Sequence, residues 1–268
     1  MAESSDGPRQ VLGPRNPRIA ELRRLIGRRG SRSAQIVLEG PRTVGEANDA
    51  GFVPLTVVVP ESSADDPGVR AVDEKLDPEV ERLVVRDKVF TALAPSVTPQ
   101  PMLAIVDRPR GAVPGSFAVD DVALVLVEVS DPGNVGTLVR VADAVGAACV
   151  VVIGGADPWS PKAVRASAGS ILRVPVVVMP DLADAVEPLR RAGARMIATD
   201  VREGEPHDGG ALNGPVAIVL GSEPHGLDRS IDPLIDDWVR VEMQGNTESL
   251  NVAMAGTLLA YEARRAPR

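Results

Sequence analysis

The chain has 268 residues, with 29 Lys and Arg against 37 Asp and Glu, and its net charge of -8 argues against a uniformly basic nucleic-acid-binding domain. Apolar residues make up 44% of it and aromatics 2%, so the core must be built from Val, Ala, Leu and Ile, and the length admits one large domain or two small ones. Cys149 is the single cysteine, and His207 and His225 are the two histidines, which excludes a disulfide framework and a cysteine zinc site; no metal is expected.

Charge is unevenly spread. Residues 9–32 hold eight arginines (Arg9, Arg15, Arg18, Arg23, Arg24, Arg28, Arg29 and Arg32) against one acid, Glu21, a net of +7 that leaves -15 for the rest. Residues 1–15 are polar and rich in Pro and Gly, and read as a disordered tail. Ile19, Leu22, Leu25 and Ile26 then fall at helical spacing, so an amphipathic helix presents Arg23, Arg24, Arg28 and Arg29 on its wet face. Guanidinium forks suit phosphate. A solvated helix face with no ligand is the competing reading. No apolar run precedes residues 36–38, so neither signal peptide nor membrane span is expected, and the chain reads as cytoplasmic.

Strands are expected at 35–39, 55–60, 82–85 and 102–106, and helices at 43–50, 74–83 and 87–93. Together they make a small α/β unit over residues 16–107. Residues 108–119, rich in Pro and Gly at their start, read as a linker. From residue 120 to 268 strand and helix alternate, with strands at 122–129, 149–153, 174–178, 196–199, 216–220 and 239–241. Their near-continuous Val, Leu and Ile predict a parallel sheet buried on both faces. Helices are expected at 135–145, 161–169, 181–192 and 249–264. The last places Leu250, Met254, Leu258 and Tyr261 on one side, with Gly256 and Ala260 allowing close backbone approach.

Three loops after strands carry residues that a plain α/β sequence does not need, and in open parallel sheets that edge is where ligands bind. The first runs from Asp131 through Pro132, Gly133, Asn134 and Gly136 to Arg140. Asn134 can cap the following helix, whose amino terminus favours an anion. Arg140 lies where a cation gains nothing from the helix dipole, so it either meets a ligand or forms an i,i+3 pair with Asp143. In the second loop, Gly221 and Gly226 allow a backbone-lined pocket around Ser222 and Glu223, and Glu223 either caps a helix or holds a ligand hydroxyl or amine. The third is Asn246 to Val252, where Ser249 or Thr247 is expected to cap the last helix and Asn251 to fall in its first turn, a poor place for asparagine.

In order and spacing these loops resemble the three signature motifs of the SpoU, or TrmH, branch of the SPOUT methyltransferases. The segment from Ser160 to Ser170 is similar to the family's stretch between motifs one and two. Asn16 to Leu25 and Val37 to Gly40 resemble its amino-terminal RNA-binding domain, so the likeness spans roughly residues 16–264. Three departures stand out: Asp131 occupies a position often held by Asn, Pro224 and His225 follow Glu223 where Gly is common, and Glu242 replaces a frequent Pro.

The resemblance implies an α/β fold whose carboxy-terminal domain is a deep trefoil knot, working as a homodimer. It further implies methylation of a ribose 2'-hydroxyl in RNA with S-adenosylmethionine as donor. Donor binding is then expected at Thr199, Gly221, Ser222, Glu223, Gly226, Val241, Met243 and Leu250. The reaction is assigned to Arg140, Asn134, Glu223, Ser249 and Asn251. Arg140 serves either as a transient base or as a clamp on the target phosphate; a guanidinium normally stays protonated. RNA contact is assigned to Arg18, Arg23, Arg24, Arg28, Arg29, Arg32, Arg140, Lys162 and Arg165. His225, in a loop beside proline, reads as solvent-exposed. Two-domain members point to ribosomal RNA, 23S rRNA foremost, with antibiotic resistance as one use of such a modification. The alternatives are a transfer-RNA enzyme and an RNA-binding assembly factor that has lost turnover.

Overall fold

A computed structural model describes residues 10–27, 34–222 and 226–265. The chain divides into two compact units, Met1–Pro109 and Arg110–Arg268.

The first unit contains β1 (Val11–Leu12), α1 (Pro17–Gly27), β2 (Gln35–Glu39), α2 (Pro41–Asp49), β3 (Pro54–Pro60), α3 (Pro67–Asp73), β4 (Glu81–Val85), α4 (Asp87–Leu93) and β5 (Leu103–Asp107). Its sheet runs β1-β4-β3-β5-β2; β1, β4 and β3 are parallel, and β5 is antiparallel to both β3 and β2. The apolar stripe of α1 is buried at Ile19 and Leu22, against Val89, Phe90 and Leu93 of α4 and Val58, Leu103 and Ile105 of the sheet. Helix α2 packs on β2, β5 and α3.

Two expectations fail here. Val11 and Leu12, placed in the disordered tail, pair in parallel with Val84 and Val85; two residues are too few to show a period. The helix expected at 74–83 is instead the turn that follows α3 and the start of β4. Leu76, Val80 and Leu83 imitate a helical face, but Asp66 starts the helix earlier by accepting from the N–H groups of Gly68 and Val69. Arg82 then folds the chain back, donating to Asp73 Oδ1 at 2.8 Å and to the carbonyls of Leu76, Asp77, Pro78 and Val80.

The second unit contains β6 (Val122–Val127), α5 (Pro132–Val145), β7 (Cys149–Ile153), α6 (Pro161–Ala166), β8 (Val176–Met179), α7 (Leu182–Arg191), β9 (Arg195–Thr199), β10 (Glu205–Pro206), β11 (Val216–Leu220), β12 (Asp237–Arg240) and α8 (Val252–Arg264). Seven strands form one sheet in the order β10-β12-β9-β11-β6-β7-β8, and every pairing is parallel. Strands β7 and β11 are buried at all five positions, as a sheet covered on both faces requires. Helices α5 and α8 pack together on β6 and β11, while α7 contributes Leu182, Ala185, Val186 and Leu189 to the core cluster of the sheet.

Glycine sets the helix spacing. A Cβ on Gly136 of α5 would stand 2.3 Å from the carbonyl oxygen of Ala163 on α6, and one on Gly256 of α8 would stand 2.5 Å from Leu138 and 2.8 Å from Leu220. The stretch expected to be a linker also packs on this unit, with Phe117 N–H donating to Ala192 O at 2.7 Å.

Candidate active site

In a parallel sheet every strand ends on the same edge, and β11 pairs in register with both β6 and β9. The segments that follow β6, β11, β9 and β12 therefore gather at one edge, and they carry all three sequence motifs.

The segment after β6 leads into α5. Asp131, not Asn134, is the N-cap, with Oδ1 accepting from Gly133 N–H at 3.0 Å. Proline at the first helical position starts the helix three residues earlier than expected, since its missing N–H costs nothing there. Lys162 Nζ donates to the same Asp131 oxygen at 2.6 Å. This hydrogen bond, with help from Gly133 N–H, holds the Asp131 carboxyl below the usual carboxylate range. Lys162, expected to contact RNA, is thus paired with the cap of α5.

Asn134 lies inside the first turn, and its Oδ1 accepts from Asn251 Nδ2 at 3.2 Å. Asn251 is itself the N-cap of α8, with Oδ1 accepting from Ala253 N–H at 2.9 Å and Met254 N–H at 3.4 Å. The last helix therefore starts at Val252, and neither Ser249 nor Thr247 caps it. The asparagine that looked misplaced within a helix turn stands one position before the helix, and its amide joins motif one to motif three. Ser249 is exposed and Leu250 half-buried beside it.

Arg140 is exposed on α5, six residues beyond Asn134, or about 9 Å along the helix axis. The alternative pair with Asp143 does not form. Asp143 pairs with Arg173 at 2.7 Å instead, and among the described residues Arg140 has no ion pair, so its charge is available to a ligand. Arg165 is exposed on α6.

In the second motif, a Cβ on Gly221 would come within 2.4 Å of the Gly226 backbone, so glycine is required for the turn to close. Gly226 N–H donates to Ser222 O at 2.9 Å. Glu223 lies outside the described residues. Thr199, at the end of β9, donates from Oγ1 to Val219 O at 3.0 Å and pins β9 to β11.

A cavity of about 350 Å³ opens nearby, walled by Val201 and Arg202 after β9 and by Arg240, Val241, Glu242 and Met243 at and after β12, with Thr247 and Glu248 completing it. Of the residues expected to bind the donor, Val241 and Met243 line it; Thr199, Gly221, Ser222, Gly226 and Leu250 are not among its lining. Arg202, Arg240 and Glu248 were not found by sequence reading; Val241, Met243 and the departure at Glu242 were the signals that pointed there. Arg240 donates to Glu242 Oε1 at 3.0 Å and to Gly204 O.

In the first unit Arg23 and Arg24 are exposed on α1. Arg18 departs from the expected RNA-contacting face: it donates to both Glu81 oxygens and to Thr56 Oγ1, and pairs with Glu21 at 2.5 Å. Its donors are spent within the unit. Arg28, Arg29 and Arg32 lie outside the described residues.

A family model described as the SpoU rRNA methylase family matches residues 121–261, and a second, the MRM3-like substrate binding domain, matches residues 16–104. The chain is 26% identical to the 23S rRNA (guanosine(2553)-2'-O)-methyltransferase RlmP of Bacillus subtilis, over 96% of this chain and 99% of that protein. It is 30% identical to a 23S rRNA (uridine(2479)-2'-O)-methyltransferase of Streptomyces viridochromogenes, over 94% and 90%. Among solved structures, the AdoMet-bound rRNA methyltransferase from Sinorhizobium meliloti superposes with a TM-score of 0.85 at 27% identity, covering 97% of this chain and 98% of that one. The SpoU methyltransferase AviRb from Streptomyces viridochromogenes, in complex with AdoMet, gives a TM-score of 0.84 at 28% identity, covering 94% and 98%. The chain belongs to the SpoU rRNA methylase family.

Proposed function

We propose that the protein transfers the methyl group of S-adenosylmethionine to a ribose 2'-hydroxyl of ribosomal RNA, in the large subunit. The observation that carries this reading is the Asn251–Asn134 hydrogen bond, which draws the first and third motifs together at the start of the helix that carries the exposed Arg140. Membership of the family and likeness along nearly the whole chain support it.

The residues fit the donor. A cavity of about 350 Å³ lies within the range of small-molecule sites. Its walls carry Arg202 and Arg240 with Glu242 and Glu248, charges of both signs that suit the zwitterionic end of an amino acid. The turn closed by Gly221 and Gly226 offers a backbone surface that a flat base can approach. We assign the donor to Val241 and Met243 together with Thr199, Gly221, Ser222, Glu223, Gly226 and Leu250. Bound there, S-adenosylmethionine supplies an electrophilic methyl carbon.

The chain's own part is positioning. Arg140 stays protonated and grips the phosphate next to the target ribose; as the hydroxyl oxygen takes the methyl group its proton passes to water, and S-adenosylhomocysteine leaves. Asn134, Asn251 and Ser249 fix the loop against which the hydroxyl is aligned with the methyl group, where orientation accounts for much of the rate. Glu223 orders the donor pocket, and Arg23 and Arg24 dock RNA on the first unit.

A homodimer belongs to this proposal. Met254, Leu258 and Tyr261 form an apolar stripe on α8, exposed at 62%, 46% and 52%. So does the trefoil knot, supported by the return of α8 from β12 to the central strands β6 and β11. Among the described residues no helix is long and apolar enough to cross a membrane, and the substrate places the enzyme with ribosomes in the cytoplasm. The test is transfer of labelled methyl to purified ribosomal RNA and, in parallel, to transfer RNA: label in ribosomal RNA supports the proposal, and label confined to transfer RNA overturns it.

A further inference from the structure

Outside the three motifs, one cluster joins segments that are distant in sequence and meet at the cavity. Arg229 opens the short helical turn Arg229–Leu234, which Asp228 caps by accepting from Ser230 N–H at 2.7 Å. Its guanidinium carbon sits 3.7 Å from the centroid of the Trp238 ring on β12. One edge of the same group reaches Glu203 at 2.7 Å and Asp200 at 3.3 Å, and Asp232 lies 3.8 Å from it.

Asp200 is more than an ion-pair partner. Its Oδ1 accepts from the N–H groups of Arg202 at 2.7 Å and Glu203 at 2.9 Å, and its own N–H donates to Val239 O at 3.0 Å. The carboxylate therefore shapes the turn that carries Val201 and Arg202 into the cavity wall. Arg229 fastens that turn to β12, whose continuation at Val241 to Gln244 lines the same cavity. With its face on an indole and its edge on carboxylates, Arg229 has little left to offer RNA phosphate.

We propose that Arg229 is a positioning residue for the methyl donor, holding the turn after β9 in the shape that closes the cavity. The inference rests on the reading of this cavity as the donor site. A planar guanidinium can stack on the ring and pair with two carboxylates at once; a lysine ammonium is a point charge and does only part of this. Because the guanidinium touches neither RNA nor the reacting atoms, its loss acts on donor affinity and not on the rate at saturation.

The experiment uses the full-length protein, S-adenosylmethionine and S-adenosylhomocysteine in titration calorimetry, and initial rates on transcribed large-subunit RNA. Arg229→Met is expected to raise the donor Kd and KM by about tenfold, with Arg229→Lys in between, while kcat at saturating donor and KM for RNA stay within about twofold of wild type. Glu203→Gln, at an exposed position, is expected to raise donor Kd by about threefold, and it keeps the question open to test if Arg229→Met does not fold. Thr247→Trp, which fills the cavity, separates the two levels of the claim. If it abolishes donor binding while folded Arg229→Met, or Glu203→Gln in its place, binds donor like wild type, Arg229 has no positioning role. If Thr247→Trp leaves donor affinity unchanged, the cavity is not the donor site and the inference falls with it.

Discussion

Asn251 Nδ2 donates to Asn134 Oδ1 at 3.2 Å, joining the starts of two helices that lie 117 residues apart in the chain. The amide is used at both ends, since its oxygen caps α8 at the same time. Asn251→Ala removes cap and bridge together and should cost about 1 kcal/mol of stability. Asn251→Asp keeps an oxygen for the cap and loses the N–H donor, so its stability should stay near wild type. Both should lower methyl transfer by about a hundredfold, the cost expected when a reacting partner is misplaced. Denaturant melts alongside transfer rates separate the two roles; full turnover in Asn251→Asp contradicts the bridge.

Arg140 is exposed and makes no ion pair among the described residues, so the fold does not need it. Arg140→Ala should change stability by less than about 0.5 kcal/mol. Donor affinity by calorimetry should be unchanged, while kcat falls by at least about a hundredfold. Retained turnover would remove Arg140 from the reaction.

Gly136 tests the packing of α5 on α6. Helix propensity alone favours Ala over Gly by about 1 kcal/mol. The Cβ would stand 2.3 Å from the Ala163 carbonyl oxygen, which is backbone and cannot rotate away. Gly136→Ala should therefore destabilise the second unit by about 1–3 kcal/mol, and a stabilised variant in chemical denaturation would contradict the close approach.

The Arg18–Glu81 pair gives a pH dependence. The hydrogen bond from Arg18 holds the Glu81 carboxyl below its ordinary value, against the upward push of burial. A carboxyl depressed in the folded state stabilises at pH values above its unfolded pKa, near 4.3, and that contribution fades as pH falls below it. The gap in stability between wild type and Glu81→Gln should be level from about pH 7 to pH 5 and shrink under about pH 4.3. Side-chain exposure of 39% at Glu81 keeps the gap under about 1 kcal/mol.

Arg23 and Arg24 point from α1 into solvent. Replacing both with Ala should weaken RNA binding and reduce the slope of log K against log salt by about 1.5, measured by filter binding across salt concentrations. An unchanged slope would restore the reading of a solvated helix face.

Much of the second unit was legible in the sequence because parallel strands buried on both faces announce themselves as apolar runs. Strands 149–153 and 216–220 match β7 and β11 end to end. Residues 74–83 misled because Leu76, Val80 and Leu83 have helical spacing by coincidence, while the Arg82 side chain that folds the segment back leaves no periodic trace. Capping was misassigned at both key helices for a related reason: Asp131 and Asn134, or Ser249 and Asn251, are all competent caps, and the choice between them is made by packing. The motifs were legible as loops after strands, and the parallel sheet gathers those loops at one edge. Arg202 and Arg229 were invisible, since nothing in the local sequence says that they meet the segment around β12.

The most direct test of the proposed function is to incubate the protein with methyl-labelled S-adenosylmethionine and 23S rRNA, hydrolyse the RNA in alkali, and map the label. Methylation at a 2'-hydroxyl blocks cleavage of the adjoining phosphodiester, so label is expected in an alkali-resistant dinucleotide from one position and is expected to be absent with Arg140→Ala. Label on a base, or no transfer by protein that binds the donor, would contradict the proposed function.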